Sequence, residues 1–300
     1  GGAGPAFSGT NIQERGVDEP DIVKTDGRFV YVAQGGRLLI HRADDLTEVS
    51  RVDLITHDGR IFLSGDQVVA IGQHRGPLDA AFGEDENAER LGQRRVSIEV
   101  FDVSDRAAPV RTRQTFVDGT LQTARLVNRS VRVVTFHIGG NTLEDKIEPP
   151  RGRPDRPSVV VGDGGAESSE PVEVEIESQE SEGEDDGAFG EAESPLVAED
   201  EDGADDAREA WLENARDAIR ETTLDDWLPK RYDAIGDANT IEPVTSCGQF
   251  HRPGERSGLG VVAIVSVNLD APAEIVRDSA VVTGPGVAYA SGQSLYLTTG

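Results

Sequence analysis

The sequence predicts an all-β protein, a β-propeller of four-stranded blades in which about three blades are visible and the ring is incomplete. Short β-rich runs bounded by Gly, Asp and Asn recur along the chain, which is typical of many small antiparallel strands. Three of these runs, 36–72, 96–137 and 258–300, can be laid over one another. Each reads as strand, acidic turn, strand, Gly turn, strand, polar turn and strand, and propeller blades have this length of about 40 residues.

The turns match best between the second and third runs. "DVSDRAAPV" (102–110) falls on "VNLDAPAEI" (267–275), and "LVNRSVRVVT" (126–135) falls on "YASGQSLYLT" (289–298). A single sandwich would have no reason to repeat its turn chemistry at this interval, so the repeat favours a propeller. Because known propellers have about 4 to 8 blades, we expect the parent protein to continue beyond this chain, or the missing blades to come from an oligomer.

Composition divides the chain into three regions. Residues 1–137 hold the entry motif and first blades, 138–257 form an insertion, and 258–300 form a further blade. Within the insertion, 163–206 contains 19 Asp or Glu and no Lys or Arg, so most of the net charge of −27 lies there. This tract is predicted to be disordered because it holds too little apolar surface to offset the entropy of ordering. Residues 206–229 are predicted to be helical.

The helical segment carries the chain's two tryptophans, Trp211 and Trp227. Asp206 and Glu209 resemble a capping box at its start, and Pro229 ends it. We predict either that the tryptophans dock the insertion on the propeller or that they provide an aromatic contact for a sugar or a peptide.

Linear motifs for catalysis or metal binding are absent from the sequence. It has no Gly-x-Ser-x-Gly elbow, no His-Glu-x-x-His pair, no phosphate loop and no dinucleotide fingerprint, and its five histidines stand singly. We therefore assign no catalytic residue, metal site or cofactor, apart from weak Ca²⁺ binding by the acidic tract. Nucleic acid is excluded as a partner because the polyanion repels phosphate. Cys247, the single cysteine, excludes an internal disulfide and is expected to be a buried, unreactive thiol.

The opening stretch "NIQERGVDEPDIVKTDG" (11–27) raises a choice between fold and function. Its second half predicts a strand, a turn at Thr25-Asp26-Gly27 and another strand. The preceding "GVDEPD" is kept extended by Pro20 and is expected to cross the end of the first blade. Two roles are open for the side chains of Asp18, Glu19 and Asp21. They could bond to neighbouring backbone N–H groups, or they could form a cation or ligand site that faces the channel.

The segment "TNIQERGVDEPDIVKTDGRFVYV" (10–32) resembles the opening motif of the Beta_propel family, secreted bacterial and archaeal proteins with a C-terminal β-propeller distantly related to WD40 repeats. "TLDDWLPKRYD" (223–233), "CGQFHRPGERSGLGVVAIVSVNLDAP" (247–272) and "VAYASGQSLYLTT" (287–299) resemble it as well. The resemblance implies an extracellular or cell-surface location. Any membrane attachment would come through an anchor outside this chain, which contains no signal peptide. The family has no established biochemical function, so no catalytic residue is carried over.

Three functional hypotheses follow from these observations. The first is an exported or cell-surface, non-enzymatic scaffold that binds a protein or glycan partner through loops at one propeller face. The second is a propeller hydrolase or oxidoreductase with its site at the channel mouth. The third is an architectural envelope protein with the acidic tract as a hydrated spacer.

Overall fold

The computed structural model describes residues 16–78, 82, 94–139, 201–255, 258–274, 278–291 and 294–298. The chain forms two compact units, one made of Gly1–Glu144 with Thr222–Gly300 and the other of Asp145–Glu221. In the second unit, the described element is a helix, α1, at Glu201–Arg220. It begins five residues before Asp206, the predicted start. Most of the predicted disordered tract, 163–200, lies outside the described residues.

The first unit contains strands that form the predicted blades. Blade 1 is an antiparallel sheet of β2, β3, β4 and β5 in that order, at Val23–Thr25, Phe29–Gln34, Arg37–Arg42 and Glu48–Asp53. The predicted turn between its first two strands is confirmed, since Gly27 has a φ of 86°. Asp26 Oδ1 accepts hydrogen bonds from the backbone N–H groups of Arg28 (2.9 Å) and Phe29 (2.8 Å).

Blade 2 begins with four consecutive strands and is then widened. Its order is β6, β7, β8, β9, β12, β13, at Arg60–Ser64, Gln67–Arg75, Arg94–Asp102, Val110–Asp118, Lys230–Ile235 and Ala238–Pro243. The last two strands come from the predicted insertion and pair antiparallel along the outer edge of β9.

Blade 3 is interrupted by the insertion between its second and third strands. The sheet order is β1, β10, β11, β15, β16, β14, at Val17–Asp18, Thr120–Val127, Ser130–His137, Val261–Asn268, Ser279–Val282 and Phe250–His251. The strands on either side of the insertion, β11 and β15, pair over their full length from His137↔Val261 to Ser130↔Asn268. A fourth sheet holds β17 and β18, at Ala288–Ala290 and Leu295–Leu297.

The predicted repeat of four strands is present, but its phase differs from that of the blades. The runs 36–72, 96–137 and 258–300 each begin at the third strand of one blade and end at the second strand of the next. The fold class is nevertheless confirmed, because the described residues form several mainly antiparallel sheets that do not close a ring.

The hydrophobic core lies between successive blades. One cluster joins blades 1 and 2 through residues such as Tyr31, Ile40 and Phe101, and another joins blades 2 and 3 through residues such as Ile98, Val133 and Val265. Strands such as β4 alternate between buried and more exposed side chains, whereas β8, which contributes to both clusters, is buried on both faces. Cys247 is exposed in a single 3-10 turn at Cys247–Gln249, so the expectation of a buried thiol is wrong. Among the described helices, none is long and apolar enough to span a membrane.

Candidate functional site

The entry segment, residues 17–22, pairs with blade 3 and then with blade 2 before the chain becomes a strand of blade 1. Val17 and Asp18 pair with β10 of blade 3, and Asp21 forms an isolated antiparallel bridge with Ile61 in β6 of blade 2. The chain then enters blade 1 at β2. The sequence predicted a crossing of the first blade alone. The structure shows that the segment also lies along the first strands of blades 2 and 3.

The acidic side chains of this segment each have a defined contact. The Asp18 carboxylate accepts hydrogen bonds from Lys24 Nζ at 2.8 and 3.0 Å. Glu19 pairs with Arg125 of β10 at 2.9 Å, and its backbone carbonyl also accepts a bond from Lys24 (2.7 Å). Asp21 Oδ1 accepts the neighbouring Ile22 N–H at 2.7 Å.

Sequence reasoning missed the two cations that face these carboxylates. The Lys24 side chain is only 11% exposed. Lysine occurs only three times in the chain, and this rarity was the one feature of the sequence that could have drawn attention to Lys24. Within the part of the chain that the structure describes, no group of three His, Cys, Asp or Glu is placed to hold a metal ion. The cation or ligand site at Asp18, Glu19 and Asp21 stays a prediction.

The connections between strands differ sharply at the two ends of the blades. At one end, here called the turn end, connections such as 26–28, 43–47, 65–66, 103–109 and 128–129 are short. At the opposite end, here called the loop end, two connections are long. They are 76–93 in blade 2 and 138–260 in blade 3. In antiparallel sheets every second connection lies at the same end, and both of these long connections fall at the loop end.

Two arginines join neighbouring blades at the turn end. Arg106 of blade 2 donates to the Tyr31 hydroxyl (3.1 Å) and Asp26 (3.4 Å) of blade 1, and pairs with Asp66 of its own blade at 2.6 Å. Burial of Tyr31, together with the nearby Asp26 carboxylate, raises the pKa of that phenol to about 12, so it remains a neutral donor.

Arg129 performs the same role between blades 2 and 3. It pairs with Asp270 at 2.5 Å in blade 3, and donates to Ser64 Oγ (3.0 Å) and Gln67 Oε1 (3.1 Å) in blade 2. Its φ of 61° places its backbone in the left-handed region. The turn end is therefore held by specific polar contacts between blades, whereas the loop end carries the long connections.

A family model described as a beta propeller domain matches residues 7–300 of the chain. The chain belongs to this beta propeller family. The recognition from the opening motif is thus confirmed. Comparison with curated proteins gave no match, and comparison with solved structures gave none either.

Several ionisable groups of this propeller are buried within or between blades. Burial raises the pKa of Asp118 to about 6, although Arg95 lies 3.3 Å away and the Lys230 backbone N–H donates to it. Burial likewise raises the pKa of Glu99, which pairs with Arg111 at 3.0 Å. Burial lowers the pKa of His137 to about 4, so this imidazole is neutral near pH 7.

The two tryptophans lie in different units. Trp211 is half-buried on α1, where it shares a stripe with Leu212, Ala215 and Ala218. Trp227 follows a short 3-10 helix at Leu224–Asp226 and donates its indole N–H to Thr222 Oγ1 at 2.8 Å. The Trp227 carbonyl packs over Gly139, where an added Cβ would lie 2.8 Å from that oxygen. An aromatic contact for a sugar or peptide at these residues stays a prediction.

Proposed function

We propose that this chain is a non-enzymatic interaction scaffold of an exported or cell-surface protein, and that it binds a protein or glycan partner at the loop end of its blades. The observation that carries the proposal is the difference between the two ends. Long connections leave only one end of the described blades, while short turns and the contacts of Arg106 and Arg129 occupy the other. Binding residues commonly lie on loops that a rigid sheet scaffold positions.

Exposed apolar side chains at the loop end of blade 3 support the same assignment. Ile138 follows β11 and is 59% exposed, Leu259 precedes β15 and is 87% exposed, and Val287 precedes β17 and is 72% exposed. Exposed apolar side chains such as these are available to contact a partner.

The buried charges support binding rather than catalysis. The described carboxylates with raised pKa values, Asp118, Asp278 and Glu99, are all buried and each lies beside an arginine, so their settings are those of structural ion pairs. The exported or surface location rests on the family resemblance.

The test uses the purified full chain on a glycan array and in pull-downs from a cell-envelope fraction, beside assays with glycoside and peptide substrates. We expect saturable binding to one glycan or one envelope protein without turnover of the substrates. Turnover that persists after Asp118→Asn would point to another enzymatic site, and turnover with no binding would overturn the proposal.

A further inference from the structure

The segment 230–251, here called the strap, crosses from the outer edge of blade 2 to the outer edge of blade 3. Its strands β12 and β13 extend blade 2, and its short strand β14 then pairs parallel with β16 of blade 3. Between them, Val244 is fully buried in the core that blades 2 and 3 share. The strap therefore contacts both blades along their outer sides.

Four buried charges lie beneath the strap, where β12 faces blade 3. Arg231 and Asp233 come from the strap, Arg113 comes from β9 of blade 2, and Asp278 precedes β16 of blade 3. All four side chains are almost completely buried. Two positive and two negative charges make the group formally neutral.

The strap supplies the contacts that connect these charges. The Asp233 carboxylate accepts bonds from Arg113 Nη2 (2.8 Å) and from Arg231 Nε (2.6 Å). It also accepts the Thr115 hydroxyl at 2.5 Å. Arg231 in turn donates to Asp278. The strap's Asp233 and Arg231 thus supply the ion-pair partners of Arg113 in blade 2 and of Asp278 in blade 3.

Blade 3 is bonded to the same group by its backbone. Arg113 Nη1 donates to the carbonyls of Pro272 (3.0 Å) and Glu274 (3.2 Å). Asp278 Oδ1 accepts the Ser266 N–H at 3.2 Å, and the strap's Thr245 hydroxyl donates to the Asp278 carbonyl at 3.0 Å. Blade 2, the strap and blade 3 therefore share one continuous polar network.

We propose that the strap is a latch that docks as one unit, and that its undocking is the local opening by which the junction of blades 2 and 3 can part. Buried pairs of charges tolerate no partial docking, because removal of one partner leaves the other charge desolvated and unpaired. The latch therefore has two states, and blade 1 does not take part in the change.

The test is native-state hydrogen exchange of the full chain, read by mass spectrometry, for wild type and Asp233→Asn. We expect amides of 231–242 and of β16 to exchange faster by on the order of a hundredfold, since the variant removes one partner from a buried network. Amides of blade 1 should keep their wild-type rates.

Two further variants keep the outcome interpretable. Thr115→Val removes the hydrogen bond to Asp233 and the one that Arg113 Nε donates to the Thr115 hydroxyl (2.8 Å), while leaving the charges in place. It should therefore fold and show a smaller increase over the same peptides. Asp44→Asn, which changes an exposed carboxylate paired with Arg42 in blade 1, should change no strap amide. Equal acceleration in all blades, or unchanged strap exchange in both Asp233→Asn and Thr115→Val, would overturn the proposal.

Discussion

His137 shows how one buried side chain couples folding to pH. Its pKa is lowered to about 4 by burial, whereas an unfolded histidine titrates near 6.5. The folded state binds fewer protons, so the stabilisation from keeping the ring neutral is present above about pH 6.5 and is lost as the pH falls toward 4.

We predict that His137→Gln flattens this part of the stability profile. Wild type should lose up to about 3 kcal/mol between pH 7 and pH 4 through this residue, and the variant should not. Asp118 acts in the opposite direction, because its pKa is raised to about 6 and its contribution becomes more favourable as the pH falls below that value. Denaturant unfolding of wild type and His137→Gln at several pH values isolates the contribution of His137, because Asp118 is present in both proteins. Parallel profiles would contradict the assignment.

The acidic residues of the entry segment can be separated by their contacts. Asp18→Asn leaves the nearly buried Lys24 ammonium without its carboxylate, so we expect a loss of about 1 to 3 kcal/mol in the free energy of unfolding. Glu19→Gln should cost less, since Glu19 is more exposed. Thermal melts of both variants, with and without Ca²⁺, make the comparison. A Ca²⁺-dependent rise in melting temperature that Asp18→Asn abolishes would favour a cation site over the structural role.

At the scale of elements, a single glycine forms the connection between blades 2 and 3. Gly119 has a φ of 115°, and a Cβ there would lie 2.4 Å from the Phe136 carbonyl oxygen. We predict that Gly119→Ala destabilises the propeller by more than about 2 kcal/mol.

Gly236 provides the matched control for this substitution. It also has a positive φ, 59°, but nothing lies within 4 Å of its added Cβ. Gly236→Ala should therefore cost about 1 kcal/mol, which is the backbone term alone. Equal losses in chemical denaturation for the two variants would show that the close approach at Gly119 does not matter.

The sequence predicted the strands and their period better than it predicted the blades. Runs of β-forming apolar residues and the turn residues between them are local signals in the sequence. They allowed β4 to β11 to be recognised from the sequence alone. The sequence could not show which strand is the first of each blade, because a four-strand repeat can be divided at any strand. Only strand pairing decides which four strands share a sheet. Pairing also placed β12 and β13 on blade 2, through contacts more than 100 residues apart in the chain.

The candidate site was predictable only in part for the same reason. Asp18, Glu19 and Asp21 could be selected from their composition, but their partners Lys24 and Arg125 are brought near by the fold. The path of the segment across blades 3 and 2 depends on bridges to Val127 and Ile61, which no local pattern indicates.

At the scale of the whole molecule, the difference between the two blade ends carries the functional proposal. The turn end is fixed by contacts between blades, such as those of Arg106 and Arg129. The loop end carries the long connections and exposed apolar residues such as Leu259. A binding scaffold of this design should lose its partner when the loop end is changed and keep it when the turn end is changed.

The most direct measurement is binding of the full chain to the glycan or envelope protein it retains, compared between Leu259→Asp and Leu46→Asp. Both leucines are highly exposed, at 87% and 67%, and they lie at the loop end and the turn end respectively. Asp tolerates the positive φ of Leu46, so that control should fold. We predict that Leu259→Asp weakens binding at least about tenfold, the effect of roughly 1.4 kcal/mol, while Leu46→Asp binds as wild type does. Loss of binding in Leu46→Asp alone would contradict the account.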